Sequence, residues 1–112
     1  MISTETRKEL MAYIENIHES TEQLTVKEKP SDVELILSCM TCLQEECELA
    51  TEIRKLTQMS FSKKKVDSFE KEDLEDEFVD VYIVLLLLAK RLLKNLDQAI
   101  ARKIDKNKAR GY

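Results

Sequence analysis

Glu45 and Glu48 stand three residues apart in the segment LQEECELATEI, and Glu77 and Asp80 stand three apart in EDLEDEFVDVYIVLLLLA. At roughly 100° per residue, each pair shares one face if its segment is helical. Two such helices packed antiparallel, as a short hairpin link favours, would bring the pairs together. Four carboxylates converging in a helical core cannot all stay charged without a cation. Hard oxygen donors of this kind suit Mg²⁺, with Mn²⁺ as the alternative. Asp80 is the sharpest of the four, because it sits between Val79 and Val81 at the start of an apolar run, where a buried carboxylate needs a partner or a job. The competing reading is that these acids are solvated helix faces.

The elements that must position these pairs are legible from periodicity. Leu10, Ile14, Ile17 and Leu24 mark one apolar stripe over residues 3–26, and Pro30 then disfavours helix at Lys29. Ser31 with Glu34 three residues on reads as a capping box, which predicts a second helix to about Thr57. Residues 58–67, with Lys63-Lys64-Lys65, read as a loop. Asp67 with Glu70 predicts a third start, and that helix should reach about Asn95. Asp97 would cap a fourth, ending near Arg110 with Gly111 just beyond. Four helices on short links make a four-helix bundle the expected architecture. The third helix is apolar on nearly every side from Phe78 to Leu93, which is the pattern of a helix buried all round. One small bundle cannot bury it alone, so a homodimer or homotetramer is expected to complete the core.

Composition agrees. The chain has 112 residues with one Gly and one Pro, and 36% of its residues are charged. Turn-rich β folds need those turn residues, so a sandwich or barrel is excluded. No Gly-rich phosphate loop or run of β-branched strands supports a doubly wound α/β fold. The expected class is all-α, as a single domain over 1–112. The net charge of −4 makes a nucleic-acid polymer a poor partner. Residues 81–89 form the longest apolar run, well short of the about 20 residues a membrane span needs. Charged residues such as Glu5, Arg7, Lys8 and Glu9 replace the apolar stretch of a secretory signal. With three cysteines, an odd number, the expectation is a cytoplasmic protein without a disulfide framework.

Other chemistries fare worse. Glu15 and His18 form a Glu-x-x-His pair, but His18 is the single histidine, and a di-iron bundle needs two such pairs. The same scarcity removes catalysis that relies on further histidines. Cys39 and Cys42 have a zinc-ligand spacing, yet no fourth ligand is evident beside Cys47, and small core residues are the expected role. The lysine run reads as a solubilising loop.

The ordered set of Glu45/Glu48, Glu77/Asp80 and then Lys103, Asn107 and Arg110 in ARKIDKNKARGY resembles the MazG-like all-α nucleoside triphosphate pyrophosphohydrolases. The similarity covers about residues 31–112, with the motif-bearing core over about 31–110. The resemblance implies that the four acids hold Mg²⁺ and that a ribo- or deoxynucleoside triphosphate is cut to the monophosphate and pyrophosphate. It also implies that Lys103 and Asn107 bind substrate and that Arg110 assists. The family commonly carries an acid where this chain has Gln44, and a small Gly or Ala where it has Cys47. Gln44 can hydrogen-bond but cannot act as a base, so slow turnover is one expectation. There is no Trp, so base stacking would fall to Tyr13, Phe61, Tyr82 or Tyr112. The basic tail would meet phosphates that extend past the metal. The alternative is a catalytically weak or inactive nucleotide-binding or protein-interaction module of the same fold.

Overall fold

The computed structural model describes residues 1–22, 32–62 and 69–111, without the side chains of residues 18–22 and 59–62. Among the described residues there are four α-helices and no strand: α1 (Thr4–Glu22), α2 (Asp32–Ser62), α3 (Lys71–Leu92) and α4 (Leu96–Ala109). None is long and apolar enough to cross a membrane. The Pro30 break, the Ser31 cap, the lysine run and Asp67 all lie outside the described residues.

Local chemistry accounts for the helix ends. Ser3 starts α1: its Oγ accepts from Thr6 N–H at 3.1 Å, a capping contact on an otherwise orphan donor. α2 runs on to Ser62, beyond the expected end near Thr57, because nothing from 58 to 62 is Gly or Pro and Gln and Met extend a helix readily. α3 begins after Glu70, whose side chain makes no capping bond. It ends at Leu92, earlier than expected, with Leu93 already extended. The cap of α4 is Asn95 rather than Asp97: its side chain accepts from Gln98 N–H at 3.0 Å. Gly111, just past the end of α4, sits at φ 88°, a left-handed conformation that glycine adopts at little cost.

α2 and α3 pack along each other, and α1 rests on α3. Ile14 of α1 is fully buried, and next to it in the chain Glu15 pairs with Lys90 of α3 at 2.9 Å. Burying such a side chain stabilises by about 1.5–3 kcal/mol. α4 makes no extended packing contact with the other three helices among the described residues.

The expectation that α3 is buried all round is not met by this chain alone, since no residue of α3 is buried and Phe78 is 62% exposed. The three cysteines are free, with Cys39 and Cys47 exposed and Cys42 half-buried, so they do not form the small core residues anticipated. On the same stretch of α2, Ile36, Met40 and Leu43 are also exposed. The radius of gyration is 17.5 Å, against about 13 Å for a compact chain of this length.

Candidate metal centre

Helix geometry brings Glu45, Glu48 and Gln44 to neighbouring positions on α2, and the same rule sets Glu77 beside Asp80 on α3. The two helices run antiparallel. Glu45 feels the charge of Asp80 and Glu77 that of Glu48, and further along Leu49 and Ile53 share a groove with Leu74 and Phe78. Rising numbers on α2 therefore meet falling numbers on α3.

At the crossing, one carboxylate oxygen each from Glu45, Glu48 and Glu77 lies within 4.8 Å of the others. All three residues are half-buried. Glu48 is the hub. Its carboxylate shares hydrogen bonds with both Glu45 and Glu77, and it accepts from the Gln44 amide Nε2 at 3.4 Å. Partial desolvation, followed by the charge of Glu48, holds Glu45 and Glu77 above the usual carboxylate range. Both effects disfavour the ionised form.

One oxygen of Glu45 and one of Glu77 are buried without a hydrogen-bond partner. Buried polar atoms are ordinarily satisfied, so these two mark acceptor capacity that the protein does not use. The donor set consists of carboxylate oxygens from two helices, spaced closely enough to share one ion. It suits a small hard divalent cation that keeps several waters. Without an ion, the same geometry sets three acidic side chains close together, and their mutual repulsion disfavours ionisation of Glu45 and Glu77.

Asp80 takes a different place from the one its apolar neighbours suggest. It is exposed, and its carboxylate lies outside the group of three, though close enough to act on Glu45 and Glu77 through its charge. Its position in the α3 repeat turns it to the rim, where water solvates it. Of the aromatic residues expected to stack on a base, Tyr13 and Tyr82 are exposed, while Tyr112 and the side chain of Phe61 lie outside the described residues.

The tail residues are not brought to the acids. Lys103 and Arg110 are exposed and Asn107 is half-buried, all on or just past α4, which stands apart from the α2–α3 pair. One residue near the site escapes the paired-acid motif. Glu52, 9% exposed, pairs with Lys55 at 2.9 Å and keeps its second oxygen buried and unbonded. Its offset of four from Glu48 places it on the same face of α2, a spacing that was readable all along as a third acid in register.

Comparisons with family models, with curated proteins and with solved structures return no match.

Proposed function

We propose that the chain is a Mg²⁺-dependent nucleoside triphosphate pyrophosphohydrolase that works as a homo-oligomer. The observation that carries this reading is the meeting of Glu45, Glu48 and Glu77 from two helices within 4.8 Å, with two of their oxygens buried and unbonded. Glu45, Glu48 and Glu77 would hold the ion, and Asp80 at the rim would add charge or a water-mediated contact. When bound, Mg²⁺ neutralises phosphate oxygens and makes water a better nucleophile. Gln44 holds Glu48 by its amide and so positions that carboxylate. Lys103, Asn107 and Arg110 would bind the triphosphate by donating hydrogen bonds to its oxygens.

The oligomer is supported by the apolar side chains that the described residues leave exposed, among them Ile36, Met40 and Leu43 of α2 and Phe78, Val79 and Leu85 of α3, since large exposed apolar patches mark interaction sites.

The test is pyrophosphate release from a panel of ribo- and deoxynucleoside triphosphates with Mg²⁺, Mn²⁺ or EDTA, beside the Glu48→Gln protein. Metal-dependent release that disappears in the variant supports the proposal. Silence across the panel from a folded oligomer would leave the alternative, a weak or inactive nucleotide-binding or interaction module. Gln44 favours that second reading, because it puts a neutral amide where an acid could draw a proton from water.

A further inference from the structure

The fourth helix is a problem for the chain as it stands. Leu96, Ile100 and Ile104 recur every four residues on one side of α4, and Ile100 and Ile104 remain 49% and 46% exposed. A helix this short is marginal in water without a packed apolar face. Yet α4 packs along none of the other helices among the described residues.

The position of α4 also bears on the site. Three residues separate the end of α3 at Leu92 from the start of α4 at Leu96. Glu77 lies fifteen residues before that end, about 22 Å back along the helix axis. Lys103 could meet Glu77 of its own chain only if α4 folded back along α3 or α2, and it does not.

A matching receptor is present on the same molecule. Beside the acidic cluster, Leu49 and Ile53 of α2 and Leu74, Phe78 and Val79 of α3 line an open apolar groove of about 540 Å³, with Glu75 at its edge. The start of α3 around it is rich in acid, with Glu72, Asp73, Glu75 and Asp76. Between residues 96 and 110 the fourth helix carries five cations, Arg102, Lys103, Lys106, Lys108 and Arg110, against Asp97 and Asp105. Apolar stripe meets apolar groove, and basic flank meets acidic rim.

We propose that α4 is an exchanged arm: its Leu96–Ile100–Ile104 stripe seats in the α2–α3 groove of a second copy of this chain, so that Lys103, Asn107 and Arg110 serve the acidic cluster of that copy. The docking is a helix laid into a groove, with anchors one turn apart. The assignment of these three residues to substrate rests on the pyrophosphohydrolase reading; the docking itself does not. Each site is then built from two chains, and a monomer has the acids without the cations.

The test uses chains in which Cys39, Cys42 and Cys47 are replaced by Ser. One copy carries Ile104→Cys and a differently tagged copy carries Phe78→Cys; Ile100→Cys with Val79→Cys forms a second pair. Each chain then holds one cysteine, so any bond between the two variants joins two copies. Helical content is checked by circular dichroism before the copies are mixed and oxidised. A disulfide requires Cβ atoms about 3.5–4.5 Å apart. Rapid formation of the mixed product, in excess over the same-variant products, supports the exchanged arm. Absence of the mixed product for both pairs overturns it, as does a within-chain bond when Ile104→Cys and Phe78→Cys share one chain. A separate arm mixes Glu48→Gln with Lys103→Ala, each inactive alone, and looks for recovered pyrophosphate release. If the cross-link forms but wild-type protein releases no pyrophosphate, the arm stands and the enzymatic reading falls. If wild-type protein is active but no cross-link forms, the reverse holds.

Discussion

Substituting Glu48→Gln should have opposite effects on stability with and without a divalent cation. Without metal, Glu48 is the charge that Glu45 and Glu77 both face. At 4.8 Å or less, the repulsion between ionised Glu45 and Glu48 is about 0.9 kcal/mol in the dielectric of water. Salt screening at this half-exposed position reduces it to roughly 0.5 kcal/mol. Glutamine keeps the shape and a hydrogen-bonding oxygen while removing the charge. The metal-free variant should therefore melt a few degrees above wild type, since 1 kcal/mol is about 4–8 °C for a domain of this size. With Mg²⁺ at about 100 times its dissociation constant, wild type gains about 2.7 kcal/mol, roughly 10–20 °C. The variant, short of one of three carboxylates, should gain much less. The assay is thermal unfolding followed by circular dichroism at one fixed protein concentration, in EDTA and in a Mg²⁺ series. The concentration is fixed because an oligomer's melting point depends on it. A variant less stable than wild type in EDTA would refute the repulsion argument. Equal Mg²⁺ gains in both proteins would refute the assignment of Glu48 as a ligand.

Four further outcomes are expected. Glu45 and Glu77 are held above the ordinary value of 4.5, so the folded state keeps their protons to higher pH than the unfolded chain does. Their contribution to metal-free stability is greatest below about pH 4.5 and is lost as pH rises through the folded values, and denaturant titrations of wild type against the Glu45→Gln, Glu77→Gln double variant should show that slope flattened in the variant. Gln44→Glu adds a carboxylate beside Glu48, and calorimetry should find tighter Mg²⁺ binding together with a lower melting point in EDTA. Ile14→Ala empties the one fully buried apolar site among the described residues and should cost about 2–5 kcal/mol in urea unfolding; a loss under 1 kcal/mol would mean that α1 is not seated on α3. Asn95→Ala removes the cap on Gln98 N–H and should cost about 1 kcal/mol, with hydrogen exchange rising in the first turn of α4 and not in α2.

The helices themselves were legible in the residues because their signals are local. A stripe of apolar positions, a capping side chain and a closing glycine each act within a few residues, so α1 and the end of α4 at Arg110–Gly111 could be read directly. So could the pairing of Glu45 with Glu48 and of Glu77 with Asp80, which follows from 3.6 residues per turn and nothing else. Boundaries governed by competition between near-equal local choices were not legible. α2 runs to Ser62 because no breaker intervenes, and Asn95 rather than Asp97 caps α4 because the chain turns out of α3 at Leu93.

Tertiary structure decided what periodicity leaves open, namely which face of each helix meets which neighbour. The rotation of α3 against α2 takes Glu77 into the cluster and leaves Asp80 at the rim, although both lie on one helical face. It also leaves Glu52 buried on α2. The apolar run of α3 announced that it needed cover, but not its source. Burial depends on contacts between residues far apart in the chain, and among the described residues Ile14 is the one fully buried apolar side chain while α4 packs along none of the other helices.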